Sequence, residues 1–460
     1  MPIPPPARLT DAMQHRVARN LAARLLAQPW TLPLVDDVIK DVLTNLPPRT
    51  RAALAVRLFA LGEATYPPAP HDIVTHLCAS EFFKPKPEHV TAPVLAPPIF
   101  APLPRFASLP IPPLATPGEL ATWLCLTPED LDWFSDERNG QSHARTPQLL
   151  HYHHILTRKR SGAIRILEAP KARLKAIQRR ILREILAHVP VHDRAHGFVA
   201  GRSCLTGAHI HASEAVVASF DLTAFFPTIG APRIHGIFRS LGYPWAVARY
   251  LTGLCTTITP TSVINRLSTV PSDGATLRAT YGMPHLPQGA PTSPALANLL
   301  AWRLDQRLHG LARAAGANYT RYADDLAFSG DAAFAKSLGR FSKAVAAITA
   351  EEGFALNPAK TRIMPRQTSQ RVTGVVVNAH CNIARAEFDT LKAILHNCVR
   401  HGPESQNRAG VADFRRYLEG RLAWLAHVNP RRGAKLFEAF ARIEWTAASQ
   451  KIVKTGLACR

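Results

Sequence analysis

The sequence lacks any apolar run of about 18 residues or more, and its first stretch, MPIPPPARLTDAMQHR, has no apolar core. A membrane-spanning helix and a classical secretory leader are therefore not expected. It also lacks a CxxC pair. Seven cysteines stand singly at positions 78, 125, 204, 255, 381, 398 and 459. An odd, scattered set argues against a disulfide framework or a zinc ribbon and fits a reducing cytoplasm as the compartment. No internal repeat is visible. Acid is scarce: 33 Asp and Glu face 55 Lys and Arg, a formal charge of +22 at pH 7. Such an excess repels itself unless a polyanion is near, and nucleic acid is the usual one. A membrane surface is the competing partner, but no basic amphipathic helix stands apart to support it.

What is present is the composition of a folded protein. The chain is 47% apolar and 19% charged, which excludes wholesale disorder, and 460 residues suggest two or three domains. Over 11–62, Val17, Leu21, Leu25, Val38, Val42 and Leu46 recur at helical spacing, so 1–84 reads as a helical N-terminal extension. Eleven prolines between Pro85 and Pro117 read as a polyproline-like linker over 85–117. Two short helices follow over 117–134, with Thr127 as an N-cap. From about 150 to 380 short strands and helices mix. After 381 the pattern is helical, with Leu391, Ile394 and Leu395 on one face and Leu418, Leu422 and Leu425 on another. Residues 155–202 hold twelve Lys/Arg against three acids, and 381–460 hold fourteen against seven. Any one of these cations reads as a solvated helix face; together they suit a groove gripping a polyanion from two sides.

The informative residues are acids. The apolar run Ala215-Val216-Val217 reads as a buried strand that ends at Asp221. YTRYADDLAFS (319–329) reads as strand, acidic turn, strand, and holds Asp324 and Asp325 in one corner. Adjacent acids in a turn are ordinarily solvated. Apolar and aromatic flanks instead place these at the edge of a core, where carboxylates repel one another and lose water. Hard divalent cations are the usual remedy. Asp221 can complete such a site from a neighbouring strand.

FDLTAFFPTI (220–229), LPQGAPTSPALANLL (286–300), YADD (322–325) and GFALNPAKT (353–361) resemble the reverse-transcriptase motifs in their known order. RILEAPKARLKAIQRRILREIL (165–186), AHGFVAGRS (195–203) and VTGVVVN (372–378) resemble elements of the bacterial, retron-type enzymes, and the similarity runs from about 118 to 445. The resemblance implies an α+β right-hand polymerase fold: fingers and palm over 118–380, with a small antiparallel sheet, and a helical thumb and RNA-binding region over 381–460. It implies RNA-templated addition of dNTPs with two Mg²⁺ ions. Asp221, Asp324 and Asp325 would hold the metal with the Leu222 carbonyl. Lys360 would protonate pyrophosphate. Arg165 and Lys171, with Lys159 added, would lie near the triphosphate. Phe226 would act as a steric gate against a 2′-hydroxyl, beside a core Phe225. Gln288 and Gly289 would lie near the nascent base pair, and Thr292-Ser293-Pro294 would start a helix over 294–309. His211, Arg415, Arg416, Arg421, Arg431 and Arg432 would contact RNA. The implied partners are a structured non-coding RNA serving as template and primer, the nascent DNA, and an effector protein in antiphage defence.

One departure from the retron pattern stands out. The enzymes commonly carry NAxxH before the first carboxylate, and this chain has Gly207-Ala208-His209-Ile210-His211, with glycine for asparagine. Three rival assignments compete. A group II intron enzyme would need more chain than the 82 residues after Asn378. A retron-like enzyme of another system, in diversity generation or phage defence, would share the motifs. A non-catalytic RNA-binding scaffold would have no physical need for clustered carboxylates in a basic cleft.

Overall fold

The structure is a computed structural model that describes residues 11–26, 28–43, 46–62, 67–83, 98–137, 139–144, 146–158, 164–267 and 274–445. Residues 85–97 of the proline-rich segment, Lys159 and residues 446–460 of the expected thumb lie outside these. The chain forms two compact units, one of 1–190 with 224–300 and the other of 191–223 with 301–460. No helix among the described residues is long and apolar enough to cross a membrane.

The first unit begins with helices Asp11–Leu26, Leu32–Val42, Pro48–Phe59 and Pro70–Ala79. Proline at the first turn of the last three fits a position whose N–H has no intrahelical partner. Their apolar faces close a core of Val17, Leu21, Leu25, Trp30, Ile39, Leu54, Leu58, Ile73 and Leu77, with Trp245 packed against it. The described part of the proline-rich segment carries no strand and only the 3-10 turn Pro104–Phe106 before Pro117, and it is pinned. Ala101 N–H donates to Gly242 O at 2.9 Å, and Leu103 N–H donates to Ser240 O at 3.2 Å. Gly242 has φ +102°, and a Cβ there would lie 2.4 Å from Pro102 N, so only glycine permits this approach. Helices Pro117–Leu124 and Pro128–Ser135 follow, capped by Thr116 and Thr127. Strands β1 (Tyr152–Arg158) and β2 (Ile164–Pro170) pair antiparallel, and the helix Ala172–Glu184 continues from β2.

The second unit is built on a four-stranded antiparallel sheet. Its strands are β3 (Val216–Asp221), β4 (Asn318–Tyr322), β5 (Asp325–Gly330) and β6 (Arg362–Pro365), in the order β4-β5-β3-β6. β3 is central, apolar and buried on both faces except at Ser219, which explains its unalternating sequence. Phe328 packs against Phe220, Tyr319 and, on the helix Ala332–Glu351, Phe341. The short ribbon of β7 (Arg371–Val372) and β8 (Val375–Val376) leads into helices Arg385–His401, Phe414–Val428 and Pro430–Ala441. Leu391, Leu395, Leu418, Leu422, Leu425 and Phe440 of these helices share one core with Val217, Ala327, Val372 and Val375.

One expected element differs. The helix over 294–309 is two helices, Ser293–Leu300 and Trp302–Ala314. Arg233 donates to the Leu300 carbonyl at 3.3 Å, taking an acceptor that a continuous helix would use internally.

Candidate active site

The acidic corner is set by strand register. Asp221, the last residue of β3, pairs across the ladder with Asp325, the first residue of β5. The β4–β5 turn is Ala323-Asp324, with Ala323 at φ +55°, and Asp324 O accepts from Leu222 N–H at 2.8 Å. Asp325 thus starts the strand, where the sequence suggested a two-residue acidic turn. Two devices hold the corner. Arg321, fully buried, forms a two-pronged ion pair with the buried Asp305, both contacts at 2.7 Å, and donates to Ala323 O at 3.2 Å. Tyr319 OH donates to the same carboxylate. On the other side, a Cβ on Gly197 would lie 2.7 Å from Ala323 N, so glycine lets the 194–198 segment lie against the turn.

Asp221 is 7% exposed and its Oδ1 accepts from Lys360 Nζ at 2.6 Å. Lys360 ends the short 3-10 turn Pro358–Lys360, which is tied down by Asn357 N–H donating to Asp221 O at 2.8 Å. The Asp325 carboxyl is pushed up to about 6, chiefly by burial and then by the charges of Asp324 and Asp221, with Lys360 acting in the opposite sense. This corner is therefore a set of oxygen donors that resist being charged together. That is the chemistry a hard divalent cation relieves. Among the described residues no three carboxylate, imidazole or thiolate groups already converge as a finished metal cage. The ammonium of Lys360 supplies a compensating positive charge at Asp221.

Other residues singled out in the sequence lie in the first unit. Phe225 is buried and Phe226 is half-buried, their rings 5.4 Å apart. Arg165, half-buried, sits on β2 opposite Thr157. Lys171 Nζ donates to the carbonyls of Pro147 and Gln148 at 2.7 and 3.1 Å. Gln288 O accepts from Glu168 N–H at 2.9 Å. Gly289 has φ +141° and a Cβ there would lie 2.9 Å from Glu168 O. The Gln288-Gly289 loop is thus laid on β2, the strand that carries Arg165. Sequence reasoning missed what fixes it. Buried Glu168 accepts from Thr259 Oγ1 at 2.6 Å and meets His285 Nε2 at 3.0 Å. An acid inside the apolar strand ILEAP was the signal available.

The expectation that His211 contacts RNA is corrected. His211 is wholly buried, and its two ring nitrogens meet Ser329 Oγ and Thr320 Oγ1, each at 2.8 Å. Burial, then His196 and Arg194, hold its pKa down to about 3, so it is a neutral bracket between β4 and β5. Of the arginines expected at RNA, Arg416 and Arg431 are exposed. Arg415 pairs with Glu419, Arg421 lies over Tyr417, and Arg432 lies over Phe388.

The family described as reverse transcriptase (RNA-dependent DNA polymerase), whose members use divalent metal ions, matches residues 157–377. The retron Mx65 reverse transcriptase of Myxococcus xanthus is 42% identical over 299 residues, 65% of this chain and 66% of that protein. The retron Mx162 reverse transcriptase of the same organism is 35% identical over 348 residues, 72% of this chain and 67% of that protein. The retron Ec86 reverse transcriptase of Escherichia coli is 30% identical over 285 residues, 61% of this chain and 77% of that protein. The chain spans about two thirds of the length of the two Myxococcus relatives. With its ordered motifs carried on a β3–β5 acidic corner, this chain belongs to the retron-type reverse transcriptases, a group of RNA-directed DNA polymerases.

Proposed function

We propose that the chain extends a hydroxyl end with dNTPs on an RNA template at the Asp221–Asp324–Asp325 corner, using two Mg²⁺ ions. The observation that carries this is the in-register meeting of Asp221 and Asp325, with Asp324 in the adjoining turn, and the resulting rise of Asp325. Divalent cations bound there would activate the attacking hydroxyl and neutralise departing pyrophosphate. Asp221, Asp324, Asp325 and the Leu222 carbonyl would hold them. Lys360, half-exposed and 2.6 Å from Asp221, would be freed by metal binding to give its proton to the leaving group. Phe226 would exclude a 2′-hydroxyl on the incoming nucleotide, Arg165 and Lys171 would meet its triphosphate, and Gln288-Gly289 would border the base pair.

Similarity to retron enzymes supports a further reading: a structured RNA as template and primer, a branched RNA–DNA product, and service with an effector protein in antiphage defence in the cytoplasm. Primer extension with Mg²⁺ by Asp324→Asn/Asp325→Asn is the test. Synthesis should vanish while RNA remains bound, and undiminished extension would remove the metal assignment. It also separates this reading from a non-catalytic scaffold, which would show no wild-type extension.

A further inference from the structure

One residue of β2 grips both ends of the stretch His285-Leu286-Pro287-Gln288. The Glu168 backbone N–H donates to Gln288 O at 2.9 Å, and the Glu168 carboxyl meets His285 Nε2 at 3.0 Å. Its other oxygen accepts from Thr259 Oγ1 at 2.6 Å. Glu168 has no exposure and His285 has 1%. Tyr281 stands edge-on to the imidazole, ring centres 5.2 Å apart, and belongs to an apolar cluster with Ile166 and Ile264. A buried ionisable pair is no better for stability than apolar residues of the same volume, so its presence here calls for another reason.

The hydrogen bonds count the protons. His285 Nδ1 meets Met283 O at 2.7 Å, and a carbonyl oxygen only accepts, so Nδ1 carries a hydrogen. The contact between Nε2 and the carboxyl needs a second hydrogen, on the ring or on the acid. In either arrangement the pair is neutral as a whole. His154 of β1 brings no further charge. Its Nε2 lies 3.8 Å from the carboxyl, beyond hydrogen-bond reach, and burial lowers its pKa.

The same stretch carries the Phe226 turn. Phe226 O accepts from Ile229 N–H, and Ile229 O accepts from Leu286 N–H, both at 3.0 Å. His285 also exchanges two backbone hydrogen bonds with Thr257, each at 3.0 Å. A shift of His285 therefore reaches the Phe226 turn and the Gln288-Gly289 loop together.

We propose that Glu168 and His285 are positioning residues for nucleotide selection: their buried, neutral pair sets the Gln288-Gly289 loop and the Phe226 turn at the spacing an incoming dNTP requires. The inference rests on the assignment of Phe226, Gln288 and Gly289 to the nucleotide site. Neither residue of the pair has to touch the substrate. What the pair governs is nucleotide binding, so its loss should appear in KM and in sugar choice and leave kcat nearly still.

The test is single-nucleotide extension by the full chain on one RNA template and primer, with dNTP and rNTP titrated separately. Glu168→Leu/His285→Leu removes both polar groups and strands no charge. It should raise the dNTP KM about 10-fold, hold kcat within about 2-fold and lower the dNTP-to-rNTP preference. Glu168→Gln is the rescue. Its amide can donate to a neutral His285 while its oxygen still accepts from Thr259, so KM and preference should stay close to wild type. Thr259→Val removes one hydrogen bond and should shift both in the direction of the double variant by about 3-fold. It carries the test should the double variant not fold. KM and sugar preference do not depend on how much of a variant is folded. Unchanged KM and preference overturn the inference, as does a loss confined to kcat, or a Glu168→Gln chain as impaired as the double variant. Extension by Asp324→Asn/Asp325→Asn would be a different failure, that of the polymerase centre itself.

Discussion

At the residue scale the acidic corner makes a stability prediction with a definite sign. The Asp325 carboxyl is raised from 3.8 to about 6 in the folded chain, so folding disfavours its charged form. The penalty is absent below about pH 4, where the group is protonated in both states, and grows until about pH 6, above which it is complete. Asp325→Asn should therefore raise the melting free energy at about pH 7.5 by on the order of 1–2 kcal/mol, allowing for partial solvent screening. That gain should shrink toward zero at about pH 4. Mg²⁺ should raise the wild-type Tm and leave the variant's nearly still; thermal melts at both pH values, with and without the ion, check both statements. His211 runs in the opposite direction. Its folded pKa of about 3 lies below the ordinary 6.5, so its stabilising share is present above about pH 6.5 and is lost as pH falls toward 3. The neighbouring phenylalanines separate a chemical role from a packing one. Phe226→Ala should raise rNTP use relative to dNTP in single-nucleotide assays. Phe225→Ala, buried at 4% exposure, should cost roughly 3–5 kcal/mol in denaturant titrations.

At the scale of elements, the acidic β4–β5 hairpin depends on a charge pair behind it. Asp305 and Arg321 are both without exposure, and Arg321 also grips the Ala323 carbonyl of the turn. Asp305→Ala leaves a buried guanidinium without its carboxylate counter-charge, so it should destabilise the chain by about 3–5 kcal/mol in chemical denaturation. A double replacement by apolar residues of similar volume should cost far less stability yet still slow extension, because the turn loses its hydrogen bond. This pair shows where sequence ran out. Asp221, Asp324 and Asp325 were legible because strand period and apolar flanks are local signals. The partner of Arg321 lies sixteen positions upstream on the helix Trp302–Ala314, and nothing local marks it. For the same reason the break at Ala301 was invisible: no proline or glycine stands there, and the Arg233 contact at the Leu300 carbonyl comes from a residue distant in sequence. His211 was misassigned because an imidazole near a functional motif looks alike whether it faces solvent or two buried hydroxyls.

For the whole molecule, the charge of +22 makes salt the natural variable. The helical region after 381 shares its core with β3, β5, β7 and β8, so exchanging it wholesale would disturb the sheet that carries the acids. Surface charge is the cleaner handle. Arg416 and Arg431 are exposed, and their contacts to RNA are expected to be with phosphates. Arg416→Ala/Arg431→Ala should then weaken binding to all RNAs alike and reduce the slope of log affinity against log salt by about 1–2. Recognition of a structured RNA encoded beside the gene predicts something further. At about 0.2 M salt, where phosphate attraction alone is much weakened, that RNA should still outcompete a scrambled RNA of equal length, in the double variant as in the wild type. Folded RNA is recognised by shape, splayed bases and 2′-hydroxyls, terms that salt screens far less than it screens phosphate charge. Equal competition by the scrambled RNA would leave a general grip on duplex backbone and remove the case for a dedicated RNA partner.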